Sequence, residues 1–147
     1  MKTDYKNSKR FVSRVFQDVF DKYDLINDLM SLGVHRLWKK KFINWLNPQK
    51  NTVLLDVASG TGDIAKLYLE KVNYKGCVYC FDENDGMLNL NKKKFKGNSS
   101  VKWFNGNAEK LPFKNNIFDY YTISFGIRNV DDIDKAIKEA YRVLKPG

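Results

Sequence analysis

The sequence is poor in the residues that hold metals and disulfides, with two cysteines and one histidine among 147 residues. The cysteines form Cys77-Val78-Tyr79-Cys80, a C-x-x-C spacing. A zinc ribbon needs a second such pair, and one histidine cannot replace it, so no metal site is expected. A redox pair of this spacing sits at a helix N-terminus. Here it lies in an apolar run, 77–81, that reads as a strand, where positions three apart face opposite sides. Both cysteines are therefore expected to be reduced and in the core, as in a cytoplasmic protein. No apolar stretch approaches the ~20 residues of a membrane-spanning helix. Met1-Lys2-Thr3-Asp4-Tyr5-Lys6 has no apolar segment, so no secretory signal is expected. Internal repeats and low-complexity segments are also missing.

Acidic residues are in the minority: 17 Asp and Glu stand against 26 Lys and Arg, a formal net charge of +9. That balance suits an anionic partner, nucleic acid or a phospholipid surface. It equally suits solvated faces on which lysines such as Lys39-Lys40-Lys41 and Lys92-Lys93-Lys94 are scattered. With 43% hydrophobic and 14% aromatic residues, the chain has enough apolar material for one domain's core and is not a disordered sequence.

The first fifty residues read as helical. Phe11, Val12, Val15, Phe16, Val19, Phe20 and Tyr23 recur at helical spacing. A second helical segment, 24–32, closes at Gly33, and a third, 34–46, closes at Asn47-Pro48. Beyond residue 50 the period changes. Strands are expected at 52–57, 77–81, 101–104 and 118–125, with helices between and after them at 62–71, 85–95 and 131–144. Strands alternating with helices mean a parallel sheet with crossover helices, an α/β doubly wound domain over 51–147, preceded by a helical segment over 1–50. Lys145-Pro146-Gly147 reads as a helix stop and a turn toward another strand, so a fragment lacking C-terminal strands is expected.

The densest signal is Leu54-Leu55-Asp56-Val57-Ala58-Ser59-Gly60-Thr61-Gly62-Asp63. A strand, a small-residue turn and a helix start of this kind direct backbone N–H groups at a nucleotide-type ligand. With Ala65, Gly60 and Gly62 satisfy the relaxed dinucleotide fingerprint, so the glycines alone leave NAD open. Asp56, at the strand end, repels a pyrophosphate and attracts a cation such as a sulfonium bearing an amino group. The loop thus favours S-adenosylmethionine over NAD.

In an open parallel sheet, ligands bind beyond the carboxyl ends of the strands. Asp82 follows the second strand, twenty residues past Gly62, where a carboxylate can accept both ribose hydroxyls. The alternative is a helix N-cap, from Asp82 or Asn84. Asn107-Ala108-Glu109 and Leu111-Pro112-Phe113 follow the third strand. There an amide and a backbone N–H can read an adenine edge, or the segment is an ordinary turn. Ser124-Phe125-Gly126-Ile127-Arg128-Asn129 follows the fourth. The fourth loop has neither an Asn/Asp-Pro-Pro-aromatic motif for amino-group methylation nor a cysteine to attack a pyrimidine, which argues against a nucleic-acid methyltransferase.

Four segments resemble the UbiE/MenG family of ubiquinone/menaquinone-biosynthesis C-methyltransferases. They are 22–28 with Leu32-Gly33-Val34-His35-Arg36-Leu37-Trp38, then 56–63, then 107–113, and finally 122–129 leading into 141–147. The first and last are more family-specific than the cofactor loop. The resemblance implies a Rossmann-like class I methyltransferase fold with an N-terminal helical lid, S-adenosylmethionine as cofactor, and a polyprenyl quinol as substrate. By position it implies cofactor contacts from Thr61 in the loop, from Asp82 on the ribose, from Asn107 and Ala108 near the adenine, and from Ser124, beside the Asp56, Gly60 and Gly62 contacts read from the loop itself. Ser59 stands where Gly is common, so a slightly tighter loop is expected.

The implied reaction places a methyl group on a quinol ring carbon, which becomes nucleophilic when the neighbouring hydroxyl loses its proton. His35, with an unperturbed pKa near ~6.5, suits the base; the alternative is that it caps or packs the lid beside Trp38. Arg128 and Asn129 suit a phenolate or an ordered water; the alternative is a structural salt bridge and a helix cap. Tyr23 and Asn27 are expected to line the lid on the substrate side. A polyprenyl tail makes a bilayer the source of substrate, so peripheral contact with the inner membrane or with other quinone-biosynthesis enzymes is expected, with a homodimer as an open option and no nucleic-acid partner. The competing readings are a methyltransferase for another small molecule or nucleic acid, and a non-catalytic cofactor-binding fragment.

Overall fold

A computed structural model describes residues 34–147. The first two expected helices, with Tyr23 and Asn27, lie outside the described residues. The chain divides into two compact units, Met1–Trp38 and Lys39–Gly147, a division that falls inside the first described helix, α1 (Val34–Leu46).

Leu54 on one side and Leu55 and Val57 on the other put buried apolar residues on both sides of their strand, the pattern of a central strand covered on both faces. Strand β1 (Thr52–Val57) takes that position, in the parallel order β3-β2-β1-β4 with β2 (Gly76–Asp82), β3 (Val101–Asn105) and β4 (Tyr120–Ile123). Helix α2 (Asp63–Lys71) joins β1 to β2, and α3 (Asp85–Lys94) joins β2 to β3. Helix α4 (Ile133–Val143) follows β4 and a turn of 3₁₀-helix (Ile127–Asn129). Alternation along each strand splits the core in two. Leu54, Val78 and Cys80 pack with Ile43 of α1, Tyr68 and Leu69 of α2, and Leu88 of α3. Leu55, Val57 and Phe81 pack with Leu111, Phe118 and Val143. In the second cluster Phe113 meets Tyr79, Phe81, Phe104 and Phe118 edge-on, at centroid distances of 5.8, 5.9, 5.1 and 5.1 Å. These are favourable aromatic geometries that fasten the loop after β3 to the sheet.

Several expected boundaries move, each for a visible reason. The fourth strand is 120–123 rather than 118–125. Asp119 intervenes at its start, its carboxylate accepting the Val53 N–H at 2.7 Å, while Phe118 makes only an isolated bridge to Leu144. At its end Phe125 turns to φ 62. Helix α4 begins at Ile133 rather than Asp131 because Asp132 is the N-cap, accepting the Lys135 N–H at 3.0 Å. Of the cysteines, Cys80 is fully buried but Cys77 is only half-buried, contrary to the expectation that both are core. Both are free thiols.

Candidate cofactor site

Parallel register sets the site. Val57 pairs with Phe81 and Ile123, and Phe81 with Phe104, so the four strands end in one row. Beyond that row, at the β1–β4 switch of strand order, lies a cavity of about 340 Å3, within the usual range for a small-molecule site. The ends of β1 and β2 contribute Ala58, Asp82, Glu83 and Asn84 to its wall. Gly106, Asn107 and Ala108 come from the loop after β3, and Gly126, Asn129, Val130 and Asp131 from the segment after β4. Among the described residues, Asp82, Glu83 and Asp131 line it and no Lys or Arg does, in a chain of net charge +9.

The glycine loop above β1 needs left-handed backbone at Ala58, Gly60 and Gly62, with φ of 51, 52 and 83. Only glycine takes that conformation without cost, and at Gly62 a Cβ would lie 2.7 Å from the Asn91 amide as well. Asp82 organises the loop: its Oδ2 accepts the Gly60 N–H at 2.8 Å and its Oδ1 the Asn84 N–H at 2.9 Å. The helix cap is Asn84, whose Oδ1 accepts the Met87 N–H. Of the two readings of Asp82, capping therefore falls to its neighbour and Asp82 stays in the cavity wall. Ala65, at the third fingerprint position, is fully buried where α2 meets the sheet.

Asn107 closes a turn by accepting the Glu109 N–H at 2.7 Å and is part of the cavity wall. Glu109 joins the two walls, its Oε1 accepting the Asp131 and Asp132 N–H groups at 3.1 and 3.0 Å. Behind it, Arg142 donates to the Leu111 and Phe113 carbonyls and pairs with Glu139. Gly126 lies so close to Ala58 that any side chain there meets the Ala58 methyl group.

The remaining expected residues fall elsewhere. Asp56, expected at the strand end facing the ligand, sits within β1, 1% exposed and outside the cavity wall. By alternation it points to the face of Leu54, under α2. Its Oδ1 accepts the Thr122 hydroxyl at 2.7 Å and its Oδ2 has no partner among the described residues. Burial pushes its pKa up to about 7; the Thr122 bond opposes that and the nearby Asp82 charge adds to it. Gly60, Thr61 and Gly62 form the loop without lining the cavity, and half-buried Ser124 is likewise outside the wall. Asp63, at the start of α2, is partly desolvated, which raises its pKa, but Lys39 and Lys94, each 2.8 Å away, outweigh that and hold it near about 2. Asn129 lines the cavity while Arg128 is exposed beside it and pairs with no acid among the described residues. Asn129 is not the cap of α4. His35 lies half-buried in the first turn of α1, in the unit Met1–Trp38.

Sequence reasoning missed Glu83 and Asp131 in the wall, Glu109 as the joint between walls, and Asn91 beneath the loop. Asp131 was findable, lying two residues past Asn129, a suspected mouth residue. Asn91 was not, because a polar residue in the run Asn89-Leu90-Asn91-Lys92 carries no sign of burial.

A parallel sheet with a glycine loop after its central strand and an acidic cavity at its carboxyl ends defines a Rossmann-like methyltransferase fold. Solved structures agree. A SAM-dependent methyltransferase from Aquifex aeolicus superposes with a TM-score of 0.67 at 25% identity, over 74% of this chain and 58% of that one. One from Methanococcus maripaludis shares the fold at a TM-score of 0.75 and 18% identity, over 89% and 60%. The chain belongs to the ubiE/COQ5 methyltransferase family, whose model matches residues 2–147. It is 52% identical to the ubiquinone/menaquinone biosynthesis C-methyltransferase UbiE of Rickettsia prowazekii, over 99% of this chain and 60% of that protein. It is 44% identical to the mitochondrial 2-methoxy-6-polyprenyl-1,4-benzoquinol methylase of Dictyostelium discoideum, over 97% and 55%. The chain thus spans somewhat more than half the length of these relatives.

Proposed function

We propose that this chain carries the S-adenosylmethionine site of a C-methyltransferase that methylates a polyprenyl quinol ring, a benzoquinol or a demethylmenaquinol, in ubiquinone or menaquinone biosynthesis. One observation supports the cofactor reading: among the described residues, three acidic residues and no Lys or Arg line the cavity of a strongly basic chain. Such a wall attracts a sulfonium bearing an amino group and repels the pyrophosphate of NAD or the phosphates of a nucleic acid. The acceptor reading is supported by the family and by the relatives' activities.

The cofactor supplies a methyl group that is already electrophilic, leaving the protein to align the partners and raise the electron density of the ring. Asp82 is assigned to the ribose, Asn107 and Ala108 to the adenine edge, and the 60–62 loop with Thr61 and Ser124 to the rest of the cofactor. Asp56 is sealed below the loop, outside the cavity wall, and is assigned no direct contact with the cofactor. Arg128 and Asn129 hold the ring oxygen as its proton leaves. His35 is the candidate base on its chemistry alone, and Tyr23 and Asn27 are assigned to the substrate side. The tail places the substrate in a bilayer. Helix α1 suits contact with an anionic membrane surface: it has no acidic residue and exposes Trp45 beside Lys40 and Lys41.

Isothermal calorimetry on the chain tests the site. S-adenosylmethionine is expected to bind at one site and NAD to give no heat, and an inert chain would produce neither signal. NAD binding in place of S-adenosylmethionine would overturn the assignment. Arg128→Ala is expected to leave the titration unchanged while abolishing quinol methylation by the full-length enzyme; intact turnover would remove Arg128 from the mechanism.

A further inference from the structure

Asn91 is a fully buried amide on the inner face of α3, one turn beyond Met87 and Leu88, where the helix otherwise buries apolar side chains. A buried amide is costly unless its donors and acceptor are engaged. Both ends of Asn91 are. Its Nδ2 donates to the Gly60 carbonyl at 3.3 Å, and its Oδ1 accepts the Trp103 indole N–H at 3.0 Å. Its amide plane also fills the space beside Gly62, since a Cβ on Gly62 would meet Oδ1, Cγ and Nδ2 at 2.7–2.8 Å. One side chain therefore touches both glycines of the loop. Gly60 is held from two directions, its N–H by the cavity carboxylate of Asp82 and its carbonyl by Asn91. Trp103, on β3 and packed against the core cluster below, fixes the amide orientation.

We propose that Asn91 is a positioning residue for the cofactor loop, setting the Gly60–Thr61–Gly62 backbone in its binding geometry, with Trp103 locking the Asn91 amide in the orientation that does so. The proposal rests on the cofactor reading above and adds a residue outside the cavity wall. An apolar or smaller residue at 91 would satisfy the core but free the Gly60 peptide to rotate. The same bonds make the Trp103 indole proton a spectroscopic reporter of the loop.

The test has a ligand-free arm and a ligand arm, on the full chain. In amide NMR spectra without ligand, Asn91→Ala is expected to shift the Gly60 and Gly62 amides and the Trp103 indole resonance together. With S-adenosylhomocysteine as probe, Asn91→Ala and Asn91→Asp, the latter lacking the donor to Gly60, are expected to bind about tenfold more weakly. Trp103→Phe is expected to fall between them and the wild type. Leu88→Ala, from the same buried face, controls for stability: it lowers the melting temperature and keeps wild-type affinity. Wild-type affinity in Asn91→Ala, or an equal loss in Leu88→Ala, overturns the proposal. Should Asn91→Ala fail to fold, Trp103→Phe decides it, an unchanged affinity counting against. If the wild-type chain binds no S-adenosylhomocysteine, the cofactor reading fails. The ligand-free arm still decides the relay, and unmoved Gly60, Gly62 and indole resonances overturn it.

Discussion

At the scale of single residues, the Asp56 carboxyl group pulls against the fold. Its pKa of about 7 in the folded chain lies above the ordinary 3.8. The folded state therefore keeps a proton that the unfolded chain releases, and Asp56 lowers stability as pH rises from about 3.8 to about 7. Asp63 does the reverse. Its pKa near about 2 gives stability that is complete above 3.8 and lost as pH falls toward 2. Asp56→Asn keeps an acceptor for the Thr122 hydroxyl and removes the titration. Urea unfolding midpoints of this variant are expected to lose the wild-type decline between pH 4 and 7 and to match or exceed wild type at pH 8. An unchanged decline would show that Asp56 is ionised in the folded state. The residue scale is also where the sequence was least informative. Asp56 was identifiable as unusual, but period-two alternation says only that it faces the same side as Leu54, not that α2 covers it. Glu109, which ties the two cavity walls together through backbone N–H groups, has no signature in the residue order.

At the scale of elements, strands and helices were legible because their periods differ. β1, α2 and α3 lie where the pattern put them, within a residue or so at each end. The errors arise where a side chain takes over a backbone role. Asp119 replaces part of the β4 ladder, Asp132 rather than an earlier residue caps α4, and Phe125 leaves the extended region. Helix α1 carries a prediction of its own. Phe42, Ile43 and Leu46 pack on the core, and Lys39 is committed to Asp63. On the exposed side Lys41 lies 5.0 Å over the Trp45 ring, with Trp45 itself 74% exposed. Among the described residues no helix is long and apolar enough to cross a membrane, so contact would be at the surface. In flotation with vesicles containing anionic lipid, the protein is expected to rise with the lipid at low salt, and Trp45→Ala with Lys41→Glu to remain in the lower fraction. Equal flotation of both proteins, or none by the wild type, counts against α1 as the contact.

At the scale of the whole molecule, what residue order could not supply was strand order. β4 returns to pair with β1, bringing the 126–131 segment against the loop after β3, and that juxtaposition encloses the cavity. The sequence indicated which loops would gather at the carboxyl ends. It did not indicate that, among the described residues, Asp82, Glu83 and Asp131 would line the cavity while no lysine does. That acidic lining within a basic molecule is the central physical claim, and the proposed methyl transfer to a quinol rests on it. The most direct measurement is the quinone profile of a strain lacking its quinol C-methyltransferase, complemented by the full-length gene that encodes this chain. The account predicts that the methylated quinone returns with the wild-type gene and not with Asp82→Ala. A profile still dominated by the unmethylated precursor, from a gene whose product is folded and present, would contradict it.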